Sequence, residues 1–386
     1  MKKLHYSLFI AVSAAAIWSC SPKTGQQAST SNPDGGKNIV TPAGKMKFID
    51  PANMNLAVRP QDDFYEYANG TWLKNTPIPA AEARWGSFNE LQDFNQNALK
   101  TICEELAQKP GAKGSLSQKV GDFYAVGMDS ASIEKAGMTP LKPYLDRVNG
   151  IKNFEGLLEE IAQEYSEGMG SIFGMGVRQD AKNSTVYATH ISQGGTTLPD
   201  RDLYLKEDER SQKIRKAYRQ HLFNMFKLVG EGDMQANKYV ETIVRMETAF
   251  AKAQMSRVEL RDPDKRYNRL VLTDLEKLCP RMKWDEFMKK AKMTNAYYIV
   301  GQPNFLKEVH ESLGRETLDD WKTFLKWNMI QSAAPYLSNA FVKENFTMSQ
   351  NFSGLKEMQP RWKRISRMTD GVLGEALGQV YVERYF

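Results

Sequence analysis

Beyond about residue 46, apolar side chains recur at intervals of three and four, a spacing that predicts helices. Leu91, Phe94, Ala98, Ile102 and Leu106 share one helical face, as do Phe154, Leu157, Leu158, Ile161 and Tyr165. Ile214, Tyr218, Leu222, Met225 and Val229 form a third such stripe. Gly230 follows it as a C-cap, and Asp233 opens a further helix carrying Val240, Ile243, Val244 and Phe250. Helical patterns also run through 284–291, 303–313, 317–343 and 370–385, and the Pro/Gly-bearing stretches 107–114 and 194–202 read as connections. One region departs from this period. Residues 171–179 and 185–192 are rich in β-branched and aromatic residues around the turn-like Asp180-Ala181-Lys182-Asn183-Ser184, which predicts a β-hairpin with His190 on its second strand. The expected fold class is therefore mainly α, a multi-helix lobe with one small β-hairpin. No solenoid-type repeat stands out.

The first 45 residues follow another logic. Lys2 and Lys3 precede an apolar run from Leu8 to Trp18, of signal-peptide length and short for a membrane span. The run ends at Ile17-Trp18-Ser19-Cys20, which resembles a bacterial lipoprotein cleavage box, so Cys20 is the candidate lipidation site. Acyl chains on that cysteine would hold the protein at a membrane. A plain signal peptide with a chance cysteine is the bland reading of the same residues. Residues 21–45 are rich in Ser, Gly, Pro and Gln without an apolar period, as expected of a flexible tether.

Composition narrows the chemistry. Hydrophobic residues at 41% and charged residues at 25% describe a globular chain rather than a disordered one. The net charge of +6 is spread along the chain without the Lys/Arg runs of nucleic-acid binders, so no nucleic-acid partner is expected. Three cysteines, Cys20, Cys103 and Cys279, are too few for a disulfide framework. Cys103 and Cys279 read as packed thiols. The four histidines, His5, His190, His221 and His310, are too dispersed to form H-E-x-x-H or another short metal motif. No catalytic or metal-ligating residue is assigned.

Five blocks occur in a particular order. Asp62 to Lys74 reads DDFYEYANGTWLK and is followed by Pro77-Ile78-Pro79; then come Arg84-Trp85-Gly86-Ser87-Phe88 and Leu198-Pro199-Asp200-Arg201-Asp202-Leu203-Tyr204-Leu205. Arg261-Asp262-Pro263 with Tyr267-Asn268 follows, and Gly374 to Phe386 closes the set. Together these resemble the neprilysin and endothelin-converting-enzyme family of zinc metallopeptidases over about residues 46–386, corresponding to the family's N-terminal half. The resemblance implies a two-lobed peptidase of which this chain is the lid lobe and part of the catalytic lobe's surroundings. It implies zinc in the full-length enzyme and none bound by this chain, because the family's H-E-x-x-H helix, third ligand and acidic partners belong to a segment without a counterpart here. The partners implied are peptide substrates and the missing C-terminal catalytic half, in an exported, membrane-anchored bacterial lipoprotein. Gln61 and Asn69 stand where animal members carry cysteines. Asn295-Ala296-Tyr297-Tyr298 matches the family's peptide-binding string, but in the wrong part of the chain, and is taken as a chance match.

The resemblance also implies substrate-binding residues, Arg84 and Phe88, in the subsite for the substrate's C-terminal side. Ser87-Phe88-Asn89-Glu90 has the form of a helix capping box, which would set Arg84 just ahead of a helix N-terminus, a place that favours anions. A guanidinium there can grip a carboxylate through two parallel hydrogen bonds. Asn89 and Gln92 replace an acidic residue and a second arginine of the family, so carboxylate recognition is expected to be less strict. Without the resemblance, Arg84 is an ordinary surface cation. Asp62, Asp63 and Glu66 lack a calcium loop's spacing and read as a solvated helix face, and Asp200, Arg201 and Asp202 as a loop ion-pair set. A second class of function stays open: a lipid-anchored, non-catalytic protein that binds peptides or acts as a scaffold.

Overall fold

The helical spacing is realised in the computed structural model, which describes residues 49–385. In chain order the helices are α1 (Phe64–Asn75), α2 (Ser87–Gln108), α3 (Leu116–Met128), α4 (Ser130–Ala136), α5 (Lys142–Asn149) and α6 (Phe154–Ser166). Then follow α7 (Asp202–Leu205), α8 (Glu209–Leu228), α9 (Asp233–Ala253), α10 (Leu272–Leu278), α11 (Trp284–Ala291) and α12 (Pro303–Arg315). The last are α13 (Leu318–Ala333), α14 (Asn339–Ser353) and α15 (Arg361–Tyr385). The signal-peptide, Cys20 and tether expectations lie outside the described residues. No helix among the described residues is long and apolar enough to cross a membrane.

Local chemistry explains the boundaries. Asp63, Asn153 and Asp208 cap α1, α6 and α8, each side chain accepting a first-turn backbone N–H. Gly230 lies just beyond α8 at φ 95°, a left-handed conformation that glycine adopts without cost, and α9 starts at Asp233. The pattern over 317–343 reads as one helix but forms two. Pro335, with no N–H and a ring that clashes with the preceding turn, sits in a 3-10 turn (Ala334–Tyr336) that separates α13 from α14.

The hairpin is present as β1 (Gly174–Asp180) and β2 (Asn183–Ser192), paired antiparallel. It belongs to a larger sheet. β3 (Asn268–Leu270) and β4 (Tyr298–Val300) extend it in the order β1-β2-β4-β3, with β4 parallel to β2 and antiparallel to β3. Three-residue strands carry too short an alternation to stand out in sequence.

Two cores hold these elements. The larger joins the sheet to helices from α5 through α14, with Trp284, Trp321 and Trp327 fully buried. The smaller lies between α2, α3 and α15 and contains Ile102, Cys103, Val120, Tyr124 and Leu377. Both described cysteines are buried and free, and burial pushes each thiol up to about 12, as suits packing rather than nucleophilic chemistry.

Inside the larger core sits a carboxyl group, Glu247 of α9, 1% exposed. It accepts hydrogen bonds from the Tyr204 and Tyr218 hydroxyls, both at 2.7 Å, and from the Thr197 hydroxyl at 2.7 Å and amide at 3.2 Å. The Trp327 indole N–H donates to the same Thr197 oxygen at 2.9 Å. Burial raises the Glu247 carboxyl to about 7, and the hydrogen bonds only partly oppose it.

Two predictions follow from this packing. A Cβ at Gly121 would stand 2.3 Å from the Leu106 carbonyl oxygen, whereas one at Gly378 would meet nothing within 4 Å. Gly121→Ala is expected to lower stability by roughly 1–3 kcal/mol through overpacking. Gly378→Ala should be neutral or stabilising by up to about 1 kcal/mol, and paired thermal melts distinguish the two. For Glu247, a folded-state pKa above the unfolded value means the native state binds the proton more tightly. Its contribution is full below the ordinary carboxyl pKa and is lost as pH rises through about 7. The stability of wild type relative to Glu247→Gln should therefore fall between pH 5 and pH 8 in chemical denaturation; a constant difference would count against this assignment.

Candidate substrate-binding site

Arg84 lies in the connection between α1 and α2, whose course is set by its attachments. The Ala80 carbonyl accepts the backbone N–H groups of Lys356 and Glu357 at 3.0 and 3.1 Å. The Glu82 carboxylate accepts from the Gln359 side chain at 2.7 Å and from the Lys363 ammonium at 3.4 Å. Lys363, on α15 and only 9% exposed, also pairs with Asp93 of α2 at 2.5 Å. One nearly buried ammonium thus ties the connection, α2 and α15 together.

Two residues past Glu82, Arg84 is exposed, and its guanidinium forms no ion pair or hydrogen bond among the described residues. The capping box expected at Ser87 is not formed. Gly86, fully extended, occupies the N-cap position without a side-chain cap, and Ser87 is already the first helical residue. Glu90 instead accepts from the Trp72 indole N–H at 3.3 Å, bracing α1 against α2. Asn89 and Glu90 donate to the Gly86 carbonyl, which leaves the Ser87 and Phe88 amides without a backbone partner at the positive end of a 22-residue helix. The Phe88 side chain is 87% exposed beside them. This set offers a cation, two free amides and an apolar ring, a combination suited to a carboxylate with a hydrophobic neighbour.

The other candidates take structural roles. Asp62 precedes α1 rather than lying on it and pairs with Arg59, while Asp63 caps α1 and Glu66 accepts from Asn55 at 3.0 Å. Asp200 pairs with Arg257 at 2.7 Å, Asp202 with Lys206 at 2.8 Å, and Arg201 donates to the Gln254 carbonyl. Asp200 and Arg201 thus reach the segment after α9, while the Asp202 pair is one helical turn away. Asn295 to Tyr298 leads into β4, with the Asn295 side chain donating to the Tyr187 carbonyl at 3.2 Å.

The described residues do not fit a zinc site. No group of three or more potential ligands comes together among them. His221 faces Glu344 at 2.9 Å, His310 contacts Arg281 at 2.8 Å, and His190 lies on the sheet. The two cysteines sit in different cores.

Residues 60–386 match the N-terminal model of peptidase family M13. The chain belongs to peptidase family M13, whose members are zinc metallopeptidases. This M13 chain is 27% identical over 350 residues to endothelin-converting enzyme 1 of Cavia porcellus, covering 86% of the chain and 46% of that protein. An endothelin-converting enzyme homolog of Locusta migratoria is 28% identical over 357 residues, covering 86% and 48%. Among solved structures, the Mycobacterium tuberculosis zinc metalloprotease Zmp1, in complex with inhibitor, superposes with a TM-score of 0.83 at 30% identity, over 88% of this chain and 52% of that one. PepO of Lactobacillus rhamnosis shares the fold, with a TM-score of 0.74 at 20% identity, over 85% of this chain and 52% of that one. The chain thus spans about half the length of the relatives it matches.

Sequence pattern missed two buried carboxyls, Glu247 and Glu164, because polar residues inside an apolar stripe look like its margins. Glu164 is 1% exposed and lies in the wall of a mainly apolar hollow of about 470 Å³ with Leu141, Tyr144 and Tyr336. Burial, then the charge of Glu160, raises it to about 9.

The attachments of the 76–86 connection yield a prediction. Lys363→Met leaves Glu82 and Asp93 without their shared cation and should cost about 1–3 kcal/mol. Amide hydrogen exchange should accelerate in residues 76–86 ahead of the larger core; unchanged exchange there would show that the ammonium does not hold the connection.

Proposed function

We propose that this chain is the cleft-enclosing, substrate-holding part of a zinc metalloendopeptidase acting on peptides. Arg84 and Phe88 receive the substrate's C-terminal side. The observation that carries this reading is that Arg84, without a partner among the described residues, lies on a connection anchored through Lys363 that leads into α2, whose first two amides have no backbone partner. A guanidinium and two helix N-terminal amides suit a peptide carboxylate, and the exposed Phe88 ring suits an apolar side chain next to it.

Zinc in the complete enzyme supplies an activated water and polarises the scissile carbonyl. Those groups come from polypeptide outside this chain, which by itself is inactive. The family match and the relatives' doubled length support the division. So does the exposed apolar surface of Phe64, Tyr65, Ile78 and Leu91 on and between α1 and α2, where a further half would dock. Cys20 carries the lipid, residues 21–45 tether the folded part, and the protein is exported and held at a bacterial membrane; the residue pattern at the N-terminus supports this part.

Fluorescence anisotropy with the purified chain and a short labelled peptide bearing a free C-terminal carboxylate tests the site. Binding should weaken about tenfold when the peptide is amidated or when Arg84 is replaced in Arg84→Gln, the effect of losing charge-assisted hydrogen bonds. Phe88→Ala should weaken it for peptides with an apolar C-terminal residue. Equal binding of acid and amide removes the site. Tightly held stoichiometric zinc with chelator-sensitive hydrolysis by the isolated chain refutes the division of labour.

A further inference from the structure

The four-stranded sheet has one face on the core and one open. Met175, Thr189, Ile191, Tyr298 and Val300 pack inward. The period of two then places Gly174, Gly176 and Arg178 of β1 on the opposite face. The register sets Gly174 opposite Ser192, Gly176 opposite His190, and His190 opposite Ile299 of β4. Two of the three β1 positions on this face have no side chain, and nothing lies within 4 Å of where a Cβ on Gly176 would be. The result is a hollow of about 250 Å³, floored by strand backbone and rimmed by Arg178, His190, Arg266 and Gln302.

The polar groups around this hollow are mostly donors without acceptors. Neither Arg178 nor Arg266 has an ion-pair or side-chain hydrogen-bond partner among the described residues. Gln302, 4% exposed, uses its carbonyl to accept the Gln193 amide at 2.7 Å and leaves its NH₂ unbonded. The His190 Nε2 is buried with no partner; burial, then the charge of Arg178, holds the ring below the usual histidine range, so it is neutral at pH 7. Nearby carboxylates are already engaged. Asp180 accepts from the Tyr267 hydroxyl at 3.0 Å and the Tyr297 hydroxyl at 2.7 Å, and Asp264 pairs with Lys182 at 3.1 Å. Asp262 accepts the backbone amides of Asp264 and Lys265 and faces the Lys265 ammonium at 3.8 Å. Arg269, on the same face, lies over the Tyr297 ring at 4.1 Å. Unpaired guanidiniums around a concavity are matched by an anion, and a planar carboxylate fits their fork. β1 is also an edge strand, so its outer N–H and C=O groups are available to an extended peptide.

We propose that the open face of this sheet is a second peptide-binding site, in which a peptide lying along β1 places an acidic side chain between Arg178 and Arg266. The site rests on the reading of the chain as the peptide-holding part of a peptidase, and it narrows the substrate class to acidic peptides. It is separate from the Arg84 set in both residues and ligand group, because it takes a side-chain carboxylate rather than the C-terminus.

The test uses two labelled peptides, acetylated and amidated at their ends so that neither offers a terminal carboxylate, differing by one Glu-to-Gln exchange. Anisotropy with the purified chain should show the Glu peptide binding about tenfold tighter, one charge-assisted pair being worth that much. The double variant Arg178→Gln/Arg266→Gln should erase the difference. Lys113→Gln/Lys119→Gln, with the same change in net charge, should retain it. His190 ring resonances should shift on addition of the Glu peptide. Equal binding of the two peptides overturns this site and leaves the Arg84 reading standing, since that is read with free C-terminal acids. Failure of every peptide, acid-terminated ones included, overturns both. Inorganic phosphate displacing the Glu peptide at equal concentration would reassign the hollow to free oxyanions and overturn the peptide assignment.

Discussion

A single carboxyl group organises the larger core. Glu247 sits on α9, yet its hydrogen-bond partners come from the segment after β2 (Thr197), from α7 (Tyr204) and from α8 (Tyr218), and Trp327 of α13 donates to the same Thr197 hydroxyl. Apolar packing would hold these elements together in many similar arrangements; the directional bonds select one of them. Burying such a group is costly unless its partners are in place, so sheet and helices are located by the same interaction.

Lys363 does for the smaller core what Glu247 does for the larger one. It draws α15, α2 and the α1–α2 connection to one ammonium, and the Gly121 contact with the Leu106 carbonyl lets α2 and α3 approach closely. Both devices spend polar groups on position. Arg84, Arg178 and Arg266 are among the arginines that have no ion-pair partner among the described residues. What marks these three is placement: Arg84 stands ahead of the α2 N-terminus, and Arg178 and Arg266 rim a concavity.

Membership in peptidase family M13 sets the chemistry to which these sites would contribute. In the function proposed above, recognition and hydrolysis draw on different side chains, so the substrate-holding part is assembled around tyrosine, tryptophan and arginine without histidine pairs. His221 shows the same economy: it faces Glu344 and packs edge-on against Trp327, in a structural role.

What the sequence determined by itself was whatever depends on neighbours along the chain. Apolar spacing predicted the longer helices such as α2, α6, α8, α9 and α12 but not α3, α4, α5 or α10, the Asp180–Ser184 turn predicted the hairpin, and ordered blocks from Asp62 onward carried the family. Each is a local pattern repeated or extended enough to be distinctive. Local reading failed where a distant contact outweighed a nearby preference. Glu90 answers Trp72 instead of capping with Ser87, Asp200 pairs with the distant Arg257, and the three-residue strands form because β4 pairs with β2 and β3 with β4. The open sheet face lay beyond it, since Arg266, in the segment before β3, reaches Gly176 and His190 of the hairpin only when distant parts of the chain come together. Periodicity states which side of an element is apolar; only tertiary packing decides which polar groups find partners and which are left free to bind something else.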